Sequence, residues 1–148
     1  MGMSLADQIP DDATVLIDTN PVIYLFENHP LAAPFEPICA AIDAGRIKAL
    51  VTPVTLAEVV AGPLKADKEA LAERYRQALC ASRGWSLREI DADIAVLAAR
   101  LRIHHRLRLP DAIQAAVAVR EGCYALVRHD PDFRGRTDLL VLGPDTPA

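Results

Sequence analysis

Short apolar runs, separated by stretches with helical spacing, constrain this chain more than any other feature. TVLID at Thr14–Asp18, IKALV at Ile47–Val51 and the run Tyr124–Val127 are apolar along their length rather than alternating. A strand of that kind is buried on both faces, as in a parallel sheet covered by helices on each side. Ser86–Ile90 and Leu139–Leu142 read as two further strands. Between the runs lie helices expected over Pro21–Glu27 (Asn20 as N-cap), Leu31–Ala44 (stopped by Gly45), Lys65–Ser82, Asp91–His105 and Leu109–Gly122. A short helix opens at Thr55, with Glu58 three residues on as in a capping box, and Gly62-Pro63 closes it. Strand and helix in alternation give an α/β fold, three layers with a central, mostly parallel sheet flanked by helices.

The 148 residues make one domain, 1–148, with a loose lead-in at 1–12 and a tail at 143–148. Hydrophobic residues are 51% and aromatics 5%, so a core forms and it is aliphatic. Cys39, Cys80 and Cys123 are odd in number and form no CxxC pair. That excludes a disulfide scaffold or zinc ribbon and fits a reducing cytoplasm, with the three thiols in the core. No run of about 18 apolar residues exists to cross a membrane. The first twelve residues have neither the basic nor the apolar region of a signal peptide.

In an open parallel sheet, ligands bind beyond the carboxyl ends of the strands. Asp18 ends the first strand, and Asp130 follows the Tyr124–Val127 strand. Glu58 and Asp111 stand in first turns of helices. Each has a plain structural explanation. Asp18 would cap a helix, Glu58 would complete the capping box, Asp111 would meet a helix dipole, and Asp130 would turn the chain before Pro131. One converging site explains all four together. Four neighbouring carboxylates need a counter-charge, and a hard divalent cation such as Mg²⁺ or Mn²⁺ supplies it. The formal net charge is −4, so without those four carboxylates the chain is electrically balanced. The acidic excess then does not argue against a polyanionic substrate.

These segments carry a resemblance. VLIDTN at 15–20, TLAEVVAG at 55–62, RLRLPDAIQAA at 106–116 and LVRHDPDF at 126–133 resemble, in order and spacing, the motifs of PIN-domain ribonucleases, most nearly the VapC toxins of toxin–antitoxin pairs. The likeness covers roughly positions 14–142. It implies a PIN-like sandwich with Mg²⁺ or Mn²⁺ at an acidic edge. Asp18, Glu58, Asp111 and Asp130 match the family's metal-binding and catalytic acidic positions. It also implies endonucleolytic hydrolysis of structured RNA such as transfer or ribosomal RNA, leaving 5′-phosphate and 3′-hydroxyl ends. A VapB-like antitoxin and a homodimer are the implied partners. The chain departs from the pattern at one place: Arg128-His129 stand where the family usually has Thr-Asn before the acidic residue. Thr19 remains as a supporting hydroxyl.

Arg100 to Arg108 holds four Arg and two His in nine residues and leads into Asp111. It reads as a phosphate-tracking rim, with Arg106, Arg108 and Arg128 as substrate-binding candidates, or as a solvated helix end. His104 and His105 are adjacent and do not share a helix face, which disfavours a metal pair. Trp85 reads as packing beneath a turn. The apolar helices at 21–44 and 54–82 offer a dimer face or antitoxin groove.

Two other readings compete. A haloacid-dehalogenase-like phosphatase needs an acid two residues after Asp18, where Asn20 stands, and a receiver domain needs a late Lys, whereas the last is Lys68. A non-catalytic PIN-like module that binds RNA or a partner is the alternative kept open by Arg128-His129.

Overall fold

A computed structural model of the chain describes residues 3–130 and 139–144. Among the described residues five strands form one sheet: β1 (Thr14–Ile17), β2 (Lys48–Val51), β3 (Trp85–Leu87), β4 (Ala125–Val127) and β5 (Val141–Leu142). Their order is β3-β2-β1-β4-β5, and every neighbouring pair is parallel. Six α-helices of the described residues cover it: α1 (Thr19–Phe26), α2 (Glu36–Asp43), α3 (Pro53–Lys65), α4 (Glu69–Ala81), α5 (Ala92–His105) and α6 (Leu109–Arg120). Among the described residues no helix is long and apolar enough to cross a membrane.

The three layers follow from the two-residue period of the strands. Val15, Ile17, Ala49, Val51, Ala125 and Val127 face one core, which Val22, Ile38, Ile42, Val59 and Leu79 of α1 to α4 complete. Leu16, Leu50, Leu126 and Val141 face the other, against Ile94 and Ala98 of α5 and the alanines of α6. The chain runs β1 to β2 to β3 in one direction and then returns to the far side of β1. The carboxyl ends of β1 and β4 therefore flank a topological switch point, where such sheets open a crevice.

Several boundaries differ from the sequence reading. The lead-in is not loose: Leu5, Ala6 and Ile9 are buried, and the Arg46 guanidinium donates to the carbonyls of Ala6 and Ile9 at 2.8 Å each. Helix α1 begins at Thr19 with Asp18 as N-cap, so Asn20 lies inside it. The stretch 31–44 divides into a 3-10 helix, Pro30–Phe35, and α2. Its six-residue run holds Pro30 and Pro34, which cannot donate a backbone hydrogen bond.

Gly62-Pro63 does not close α3, which runs on to Lys65. Thr55, Val59 and Pro63 form one buried stripe four residues apart, and that burial outweighs the lost hydrogen bond. Consequently α4 starts at Glu69 rather than Lys65. Cys80 is exposed, and Cys39 and Cys123 are half-buried, so Cys80 is not a core residue. Burial pushes the Cys123 thiol up to about 11. Trp85 is partly buried and packed against the first core, as expected. The tail residues 145–148 lie outside the described residues.

Candidate metal and nuclease site

The register of the sheet assembles the site. Ile17 pairs with Val127, and Leu16 pairs with Leu50. Asp18 and Arg128 thus stand one step beyond a register pair, and Thr52 continues β2 at the same level. Two residues before each lie Leu16, Leu126 and Leu50, all facing α6. Asp18, Thr52 and Arg128 continue that face past the ends of the strands, where it meets the first turns of α6.

Asp111 and Gln114 share one face of α6, three residues apart, as Thr55 and Glu58 do on α3. Together with Asp18, Thr19, Asn20, Val54, Arg108, Pro110 and Arg128, the residues Glu58, Asp111 and Gln114 line a cleft of about 240 Å³. Of the expected site residues, Asp18, Glu58, Asp111, Thr19, Arg108 and Arg128 are gathered in it. Arg106 is exposed in the left-handed C-cap of α5 and does not line it. Asp130 is exposed and is also not among its lining residues. The rest of the DPDF segment lies outside the described residues.

A buried polar network supports the cleft floor. The Gln114 side chain is 2% exposed, and its amide donates to Asp18 Oδ1 and to Thr55 Oγ1 at 2.9 Å each. Thr52 Oγ1 donates to Gln114 Oε1 at 2.6 Å and caps α3 by accepting from the Thr55 backbone N–H. The Thr19 and Thr55 hydroxyls meet at 3.1 Å. Asp18 Oδ1 also accepts from the Thr19 backbone N–H at 2.9 Å. Asp18 is therefore both the cap of α1 and a cleft residue. Glu58 is not a capping-box residue, because the N-cap is Thr52.

The charges are arranged unevenly. Arg128 Nε lies 2.9 Å from Asp18 Oδ2, and its Nη2 lies 3.3 Å from Asp111 Oδ1. The exposed Arg108 contributes a looser contact, Nε to Asp111 Oδ2 at 3.4 Å. The Glu58 carboxyl titrates above the usual range. Desolvation is the largest cause, the Asp18 charge adds to it, Arg108 opposes it, and Asp111 contributes further repulsion. A carboxylate raised by its acidic neighbours is one that a cation would stabilise. The all-oxygen donor set of Asp18, Glu58 and Asp111 suits Mg²⁺ or Mn²⁺. Among the described residues, however, no three such side chains are drawn into one metal-holding group.

Sequence reasoning missed Gln114, Thr52 and the hydroxyl role of Thr55. A signal for Gln114 existed: it is a lone amide in a run of alanines, three residues past Asp111.

The chain matches the PIN domain family over residues 15–138. It is 30% identical to a chain in a toxin-antitoxin complex from Klebsiella pneumoniae, with a TM-score of 0.68 over 88% of this chain and 97% of that one. It superposes on Mycobacterium tuberculosis VapC20, a sarcin-ricin loop cleaving toxin, with a TM-score of 0.66, 16% identity and coverage of 88% and 99%. VapBC2 from Rickettsia felis, bound to a DNA fragment from its promoter, gives a TM-score of 0.70, 16% identity and coverage of 88% and 98%. At 16% identity the last two likenesses speak for the fold alone. No protein of curated function matches the chain.

Proposed function

Because this chain belongs to the PIN domain family, we propose that it is a divalent-metal-dependent endoribonuclease, the toxin of a VapBC-like pair. The observation that carries the reading is the meeting of Asp18, Glu58 and Asp111 in one cleft at the switch point of the sheet. Those three carboxylates would hold Mg²⁺ or Mn²⁺, with Asp130 as a candidate fourth. When bound, such an ion polarises a phosphodiester and lowers the pKa of water, which supplies both the electrophile and the nucleophile. The chain's own residues do the positioning. Gln114 and the Thr19 amide hold Asp18 Oδ1, which fixes the direction in which Oδ2 is offered. Arg108, at the mouth of the cleft, is placed to meet a phosphate. Arg100 and Arg102 of α5 and Arg106 at its C-cap are exposed and add positive charge to the segment that leads into Arg108. Transfer or ribosomal RNA is the expected substrate class.

The partner of this reading is a VapB-like antitoxin. A groove of about 240 Å³ between α3 and α4, with Leu56, Val60, Leu64 and Ala72 as its apolar lining and Glu69, Glu73 and Arg76 as its charged lining, offers it a surface. The 30%-identical relative solved in a toxin-antitoxin complex from Klebsiella pneumoniae supports that expectation. A homodimer and a cytoplasmic location complete the proposal.

The test is cleavage of end-labelled transfer and ribosomal RNA with Mg²⁺, Mn²⁺ or EDTA, comparing wild type with Asp18→Asn. Discrete metal-dependent products with 5′-phosphate ends, absent from the variant, are expected. Products bearing 2′,3′-cyclic phosphate, formed in EDTA, would overturn it. A second reading, a PIN-like module that binds RNA or a partner without cutting it, is favoured by one observation: the Arg128 guanidinium stands between Asp18 and Asp111. RNA binding without cleavage, unchanged in Asp18→Asn, would establish it.

A further inference from the structure

We propose that Arg128 is a built-in cation that closes the site, competing with the divalent ion for Asp18 and Asp111, so that metal loads only when the guanidinium leaves. The inference rests on the metal-dependent reading above and concerns how that site is controlled.

The oxygens of Asp18 are already assigned. Oδ1 takes two N–H donors, from Thr19 and Gln114, both at 2.9 Å. Oδ2 is the oxygen this leaves for a cation, and Arg128 Nε holds it at 2.9 Å. Gln114 is itself fixed by Thr52 and Thr55, so the Asp18 carboxylate cannot turn to offer a different oxygen without breaking that buried network. The other end of the fork takes Asp111 Oδ1 at 3.3 Å. One guanidinium thus spans two of the three carboxylates that would coordinate the ion.

The span is built in rather than casual. Arg128 is only 8% exposed. Its backbone N–H donates to the Leu142 carbonyl at 2.9 Å, which ties it to the last strand. The guanidinium is a permanent cation in proteins. It yields only by moving. A guanidinium and a divalent ion on the same oxygens repel each other, and the low exposure of the pair leaves little water to screen them. Arg108 does not do the same, since it is exposed and meets Asp111 from the solvent side.

The experiment reads metal affinity directly. Mn²⁺ binding is followed by the loss of its free-ion paramagnetic resonance signal, for wild type, Arg128→Thr and Arg128→Gln, each checked for folding by circular dichroism. Both variants are expected to bind Mn²⁺ at least about ten-fold more tightly than wild type, because the competing ion pairs are gone. Equal or weaker binding by the variants overturns the inference and leaves the metal reading intact. Absence of binding in all three proteins overturns both. If the variants do not fold, wild type carries the test: the Arg128 Nε–H resonance is expected to shift as Mg²⁺ saturates the site. A resonance that stays in place while the Gln114 side-chain amide responds overturns the inference.

Discussion

The side-chain amide of Gln114 donates to Asp18 Oδ1 at 2.9 Å, joining the middle of α6 to the end of β1 across 96 positions of sequence. Both partners are committed elsewhere as well, Gln114 to Thr52 and Thr55 and Asp18 to the Thr19 amide. Every polar atom of the Gln114 side chain is thereby satisfied in a buried setting, which a half-satisfied substitute cannot reproduce. Gln114→Leu is expected to lower stability by about 1–3 kcal/mol, the cost of leaving the Thr52 hydroxyl without its acceptor and Thr55 and Asp18 without a donor. Urea unfolding measures it. The same variant should lose metal affinity, because Asp18 is no longer held in one orientation. A stable, fully metal-competent Gln114→Leu chain would mean that the network is incidental to the site.

Glu58 is the carboxylate whose charge the site balances least, held above its usual range by desolvation, with Asp18 and Asp111 adding repulsion. Its charged form opposes folding. Glu58→Gln is therefore expected to stabilise the metal-free chain at neutral pH, by a few tenths of a kcal/mol after allowance for solvent screening. The sign follows from linkage. A folded-state pKa above the unfolded one means that the stability belonging to the protonated form is lost as pH rises through the folded value. The gap between variant and wild type should close as the solution is acidified through that range. With saturating Mn²⁺ the order should reverse, since wild type alone keeps the third carboxylate. Melting curves at two pH values, with and without metal, read all three.

The continuous apolar runs of the strands were legible, and with them the parallel sheet, its cover of helices on both faces and the placing of Asp18 at an edge. Glu58 and Asp111 were legible as acids near strand ends, and their convergence with Asp18 was expected, but the strand order that produces it was not. Only the return of β4 to the far side of β1 brings Arg128 beside Asp18. The sequence marked Arg128 as a departure from the family pattern and left open where its charge would go. Thr55 shows the opposite failure. Its spacing to Glu58 fits a capping box, yet the same three-residue step places two side chains on one helix face, and Thr52 takes the cap instead. Pro63 misleads for a related reason, since a local breaker gives way when its ring lies on the buried stripe.

The arginine rim makes a separate claim about RNA. Arg100, Arg102 and Arg106 are exposed where α5 ends and the chain turns into α6, while Arg108 alone of the four reaches the cleft. Replacing Arg100, Arg102 and Arg106 by Ala should weaken RNA binding across sequences. It should also flatten the dependence of log affinity on log salt, by about 0.7 for every single-strand phosphate that is no longer neutralised. Filter binding between low and moderate salt gives both quantities. An unchanged slope would assign these side chains to solvation of a helix end.

Gly143 follows β5, and its backbone passes so close to β4 that a Cβ there would lie 2.5 Å from the Arg128 carbonyl oxygen and 3.7 Å from that of His129. Backbone, not a flexible side-chain tip, stands in the way, so a methyl group must push the end of β4 aside. The Arg128 N–H bond to Leu142 and the guanidinium's ion pairs with Asp18 and Asp111 all hang from that segment. Gly143→Ala is expected to cost about 1–3 kcal/mol, as overpacking does. It should also displace Arg128 from the cleft without altering any residue that lines it. Mn²⁺ binding should then tighten in Gly143→Ala, as it should when Arg128 itself is replaced, while a neutral substitution at the exposed Gly62, whose Cβ would meet nothing within 4 Å, should leave it unmoved. Lower stability with no change in metal affinity would show that the position of the β4 backbone does not govern where the guanidinium lies.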